Sequence, residues 1–182
     1  MQLRHIGRTG LRVTTIGMGC SNLETWRVVD AVWTSRYHDL ETFIVAQDHY
    51  SLLKRDADKD LIPALQHYGL GFIPYFPLAS GLLTGKYSRG AGEGRLKDNF
   101  LGLGNTFLTE RNLQLVGALE EFCRARGRTL LELAVSWLAL QPVVSSVICG
   151  ATRPDQVEQN VKAANWVLSA DDLAQVDKIT QA

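Results

Sequence analysis

The 182-residue chain is 46% hydrophobic and 21% charged, and its 19 basic side chains balance 19 acidic ones, so the formal net charge is zero. That balance argues against a nucleic-acid or anionic-membrane surface, which needs a clustered positive field, and leaves small molecules or proteins as partners. A chain this long buries about 70% of the surface its unfolded form exposes, enough for one domain over residues 1–182.

The opening reads as a β-hairpin, Leu3 to Ile6 and Leu11 to Ile16, turning at Gly7 to Gly10. A small apolar run from Thr14 to Cys20 reads as a buried strand, and Ser21 and Asn22 as caps of a helix whose stripe is Trp26, Val29, Val32 and Trp33. Thr42 to Gln47 is a strand, Asp56 to Tyr68 a helix with Pro63 inside it and Gly69 at its end, and Gly71 to Phe76 a further strand. The glycine-rich stretch 79–104 reads as a mobile surface loop. Beyond it, Leu115, Val116, Leu119, Phe122 and Cys123 form a helical stripe closed by Gly127, and Thr129 with Glu132 is a capping box. Val143 to Cys149 is a fourth apolar strand, Pro154 opens a helix and Ser169 caps the last one.

Apolar strands alternating with helices imply an α/β fold with a parallel sheet, whose ligands bind at the C-terminal strand ends. Those ends carry Ser21-Asn22, Gln47 to Tyr50, Tyr75 to Gly81 and Gly150 to Arg153, rich in amides, hydroxyls and glycine. They suit a hydrogen-bonding ligand head with phosphates nearby. Taken by type alone, Ser21 and Asn22 read equally as caps, Gln47 as a partner of loop backbone and Tyr75 as core. His49, Lys86 and Arg95 read as solvated. Cys20, Cys123 and Cys149 show no metal-ligand spacing, and the odd count suits a reducing cytoplasm. No apolar run is long enough to span a membrane, and no signal peptide is legible.

Three segments, Arg8 to Gly19, Gly71 to Tyr87 and Ile148 to Asn160, together resemble the aldo-keto reductases. The resemblance runs over nearly the whole chain and implies a (β/α)8 barrel that uses NADP(H) to interconvert carbonyls and alcohols. By position it implies that Ser21, Asn22 and Gln47 hold the nicotinamide carboxamide and that Tyr75 stacks on the ring. Phe76, Pro77, Leu78, Ser80, Gly81 and Leu82 would follow the pyrophosphate, helped by Lys86 and Arg95. Gly150, Ala151, Thr152, Arg153, Gln156, Gln159 and Asn160 would meet the adenosine and its 2′-phosphate. Phe76 stands where relatives often have Ser, and Asp48-His49 where Asn-Glu is common.

A complete barrel of this type takes about 250 residues. The expected fold is therefore a partial TIM-type barrel, an N-terminal β-hairpin plus about four parallel β/α units. Ile16 to Cys20 resembles the end of the family's first strand, whereas Ser21-Asn22 resembles the residues after its fifth. The segment bearing the family's catalytic Asp, Tyr, Lys and His is thus expected to be absent, with no catalytic residue assigned in its place. Tyr50, His49 and Lys54 have matching types but come from one loop. The expectation is an impaired reductase of aldehydes or ketones, a non-catalytic NADP(H)-binding half-barrel or an inactive relic, with two copies able to pair into one barrel.

Overall fold

The computed structural model describes residues 3–5, 8, 10, 12–14, 24–87, 96 and 102–181. The run Thr15 to Cys20, Ser21, Asn22 and Arg95 lie outside the described residues, and the N-cap of the first helix is Glu24 rather than Ser21 or Asn22 as expected. At the N-terminus, β1 (Leu3–His5) pairs antiparallel with β2 (Arg12–Thr14), so the hairpin forms as expected.

The sheet is smaller than the sequence suggests. β3 (Val45–Ala46) and β4 (Gly71–Phe72) pair in parallel, and single bridges extend the ladder at His49 with Tyr75 and at Phe72 with Val144. Gly71 and Ile73 donate to Ile44 and Ala46 on one side, whereas Phe72 donates to Val143 on the other. Segment 143–145 is therefore the third line of a parallel array. The fourth expected strand ends there: Ile148 is 51% exposed, outside any pairing. Among the described residues there is no closed barrel, and the four β/α units shrink to three paired lines. Gly71 lets two of them approach closely, because a Cβ there would displace Ser145 Oγ.

The first helix, α1 (Thr25–Tyr37), buries Val28, Val32 and Ser35. Its two tryptophans correct the expected stripe, with Trp26 58% and Trp33 55% exposed. Spaced seven apart, they share the face opposite the valines. Their polar edges explain why that face tolerates water: Trp26 Nε1 donates to Glu24, and Trp33 Nε1 to the Tyr68 hydroxyl. The helix expected over 56–68 is split into a 3-10 turn (Asp56–Asp58) and α2 (Leu61–Tyr68). Pro63 is the third residue of α2, where its missing N–H costs nothing but its ring blocks any earlier start. Gly69, at φ 73°, closes α2 by donating back to Gln66 and leading Leu70 N to Leu65 O.

The expected mobile loop is also corrected at its start. Ala79–Thr84 forms a 3-10 segment whose Ala79, Leu82 and Leu83 are fully buried, and a short α3 (Leu103–Phe107) follows later. Apolar Leu82 and Leu83 override the glycines because burying them is worth about 2 kcal/mol each.

The four C-terminal helices follow the sequence closely: α4 (Glu110–Arg124), α5 (Leu130–Ala139), α6 (Pro154–Ala163) and α7 (Ala170–Thr180). α4 buries the expected stripe, and the Thr129–Glu132 and Ser169–Asp172 capping boxes are both formed. α5 is apolar on nearly every side and forms the centre of the core, with Leu133, Ala134, Trp137 and Leu138 inaccessible or nearly so. Its one polar core group, Ser136 Oγ, donates to Ala163 O and accepts from Trp166 N, tying α5 to the end of α6. Among the described residues, no helix is long and apolar enough to cross a membrane.

Asp172 also pairs with Arg126 at 2.6 Å. Arg126, aided by the Ser169 amide and hydroxyl, holds its carboxyl below the ordinary value of 3.8. A carboxylate depressed in the fold stabilises it above the unfolded pKa, and that stabilisation drains as pH falls through the folded one. Urea midpoints should therefore decline below about pH 4. Arg126→Gln should make that decline shallower; an unchanged slope would show that this pair does not carry it.

Candidate functional site

Parallel pairing carries residues 44–50 past 71–76, so the C-terminal ends of β3 and β4 open at one place. Gln47 is exposed there, and Asp48 Oδ1 accepts the His49 amide at 2.6 Å. His49 lies against Tyr75 with ring centroids 5.4 Å apart and planes 25° from parallel. Phe76 and Phe107 meet the same imidazole edge-on at 5.5 and 5.7 Å. Its Nε2 is shut off from solvent and has no hydrogen-bond partner. Burial first, then Lys54, pushes the His49 pKa below 6.5, against the pull of Asp48 and Asp56. Burial, then Asp48, raises that of Tyr75.

After β4 the backbone enters a left-handed stretch: φ is 54° at Phe76, 46° at Ala79, 55° at Ser80 and 95° at Gly81. Three of these are not glycine, and each such residue costs about 1–3 kcal/mol, a strain that clusters at ligand sites. Buried Ala79, Leu82 and Leu83 supply the anchorage, together with Gly81 N donating to Leu78 O at 2.8 Å and Thr84 Oγ1 to Gly81 O at 2.7 Å. Pro77 is buried and Leu78 half-buried beneath the turn. The Ser80 hydroxyl is enclosed and makes no hydrogen bond. Lys86 folds back over the turn, its Nζ 3.4 Å from where a Cβ of Gly81 would stand, and 4.8 Å from the Tyr87 ring. No ion pair with Lys86 is present among the described residues. A glycine face beneath an ammonium with no ion pair among the described residues, next to an enclosed hydroxyl one residue earlier in the chain, offers the groups an anion requires.

The third predicted segment is organised by its own side chains. Gly150, Ala151, Thr152 and Arg153 are exposed, and no atom lies within 4 Å of a Cβ placed on Gly150. Gln156 Oε1 accepts from Thr152 N at 2.7 Å, Thr152 Oγ1 at 3.2 Å and Arg153 N at 3.3 Å, so it serves the turn that opens α6. Arg153 grips Asp155 through two hydrogen bonds, and that pairing lowers the Asp155 pKa. Asn160 is half-buried, while Gln159 lines a cleft of about 620 Å³ that also takes in Thr84, Gly85, Arg128, Leu131 and Lys162. That cleft is lined by Thr84 and Gly85 beside Lys86 and by Gln159, Lys162 and Ala163 of α6, so two segments about 70 residues apart in sequence border one space.

The residues resembling a substitute proton donor do not converge. Tyr50 is 1% exposed and its hydroxyl donates to Asp58, while Lys54 pairs with Asp56. Burial and then that bond push the Tyr50 pKa far up, closing it to general-acid work. Phe107 was not legible as part of the site, because it arrives from α3, beyond the glycine-rich stretch, and no local motif marks it.

Residues 15–181 match the model of the Aldo/keto reductase family. An L-glyceraldehyde 3-phosphate reductase of Escherichia coli O157:H7 is 41% identical over 141 residues, covering 74% of this chain and 41% of that protein. A probable voltage-gated potassium channel subunit beta of Arabidopsis thaliana is 35% identical over 153 residues, 82% of this chain and 47% of its own. Protein tas of Escherichia coli strain K12 is 29% identical over 164 residues, 90% of this chain and 47% of that one. The chain thus spans less than half the length of these curated relatives. With a match over nearly all of its length, the chain belongs to the aldo/keto reductase family.

Proposed function

We propose that this chain is a single-domain, cytoplasmic NADP(H)-binding member of the family, an oxidoreductase acting on aldehydes or ketones with its catalysis impaired. The observation that carries the reading is the left-handed turn of Ser80 and Gly81 with the Lys86 ammonium above it. Gln47 and Tyr75 at the strand ends receive the nicotinamide end, Phe76, Pro77, Leu78 and Leu82 shape the path, and the cleft beside Gln159 receives the adenosine end with Gln156, Asn160 and the loop Gly150–Arg153 alongside. Bound NADPH supplies hydride chemistry; the chain's residues orient it, since a positioned donor gains much of its advantage from proximity alone. The impairment follows from a missing segment between Cys20 and Ser21, the one that carries the family's proton donor, and Tyr50 cannot replace it.

A second reading, a non-catalytic NADP(H)-binding half-barrel, is favoured by the same commitment of Tyr50 to Asp58. The exposed Trp26, Trp33, Tyr37 and Ile44, 55–84% accessible, support pairing of two copies. The test is calorimetric titration of NADP⁺ into protein whose mass is known from light scattering. A dimer with one saturable site per chain is expected, and carbonyl-dependent NADPH oxidation above the protein-free rate then separates the first reading from the second. Absence of binding to a folded sample overturns both.

A further inference from the structure

We propose that His49 sets the preference of this chain between oxidised and reduced cofactor, through the charge its imidazole carries against one face of Tyr75. The inference rests on the reading above, in which Tyr75 receives the nicotinamide end; with His49 stacked on one face of its ring, the opposite face is the one assigned to the nicotinamide.

Among the described residues the imidazole is packed by aromatic rings. Tyr75 lies flat against it, Phe76 and Phe107 close it edge-on, and its Nε2 has no partner. Among the described residues no ion pair fixes its charge state. The charged groups that face it are Lys54, which with burial favours the neutral ring, and Asp48 and Asp56, which oppose. Tyr75, Phe76 and Phe107 bring no charge of their own at neutral pH. Burial and Lys54 thus hold the His49 pKa below its ordinary value, so the ring takes up its proton only on acidification.

The two cofactor forms differ in the charge of the nicotinamide ring, positive when oxidised and neutral when reduced. A tyrosine face is electron-rich and attracts a cation. Protonating the imidazole behind that face opposes the attraction and adds a like charge two ring spacings away, a penalty felt by the oxidised ring alone. The 2′-phosphate also titrates in this range, with a second pKa near 6, but it does so in both forms and cancels from their ratio.

The test measures dissociation constants of NADP⁺ and NADPH between pH 8 and pH 5 at fixed ionic strength. In the native protein the ratio of the NADP⁺ constant to the NADPH constant should rise by about threefold to tenfold on acidification. His49→Phe, which keeps a ring against Tyr75 but no charge, should give a flat ratio while still binding both forms. A flat ratio in the native protein, or an equal rise in the His49→Phe protein, overturns the proposal. So does tighter binding of both forms by His49→Ala, which would put His49 on the cofactor's own side of Tyr75. If folded native protein binds neither form at any pH, the NADP(H) reading falls with it; binding with a flat ratio removes this proposal alone.

Discussion

Trp137→Ala should lower the unfolding free energy by about 3–5 kcal/mol, the cost of removing a large aromatic from a packed interior. Trp137 is 1% exposed in the middle of α5 and lies 5.2 Å from the Tyr50 ring. The Arg55 guanidinium sits over the indole, 4.5 Å from its ring centroid. Arg55 in turn donates to Asp58 at 2.6 Å, Asp177 at 3.0 Å and Thr180 at 2.9 Å. The indole is therefore the floor on which the segment after β3, the central helix and α7 meet. Its loss opens a cavity and also removes the surface that keeps a poorly hydrated Arg55 in place, so the effect should lie toward the upper end. With a slope of about 1–3 kcal/mol per molar urea, the midpoint should fall by more than 1 M at unchanged slope. A shift worth under about 1 kcal/mol would mean that this cluster does not carry the fold.

Lys86→Met should weaken NADP⁺ binding by roughly tenfold to hundredfold, the effect of losing one hydrogen bond from a charged donor, about 1.5–3 kcal/mol. The methionine keeps the length of the side chain and its contact with Tyr87, so what is removed is the charge above Gly81. Gly81→Val should act in the same direction for a different reason. Its φ of 95° is hostile to a branched side chain, and a Cβ would come within 3.3 Å of Lys86 Cε. Raising ionic strength should narrow the difference between native protein and Lys86→Met, because the interaction is electrostatic. Equal affinities at low salt would remove the turn from the binding site, whereas Lys59→Met, on the 3-10 turn before α2, should leave affinity untouched.

How much of this was legible beforehand differs by element. The Thr129–Glu132 and Ser169–Asp172 boxes, Pro154 at the head of α6 and Gly127 after α4 were readable because each joins groups within one helical turn. The buried face of α1 was misread because the helix carries two apolar stripes on opposite sides, and periodicity cannot say which one meets a neighbour. The extent of the strands was overread for a related reason, since an apolar run ladders only as far as a partner runs beside it. In the site, only the family resemblance joined Gly81 to Lys86, since the glycines by themselves read as a mobile loop and Lys86 as solvated, and the engagement of Gln156 by the amides of Thr152 and Arg153 just before its helix was not expected.

By itself the sequence determined the family and the order and capping of the C-terminal helices, which rest on residue runs or contacts short in sequence. Tertiary structure decided that Tyr50 is spent on Asp58, that Arg55 reaches Asp177 across 122 positions, and that His49 is enclosed by Tyr75 and Phe107. Such contacts depend on which segments the ladder and the α5 core bring together. Closing chain loops of that length costs entropy that only the assembled core repays.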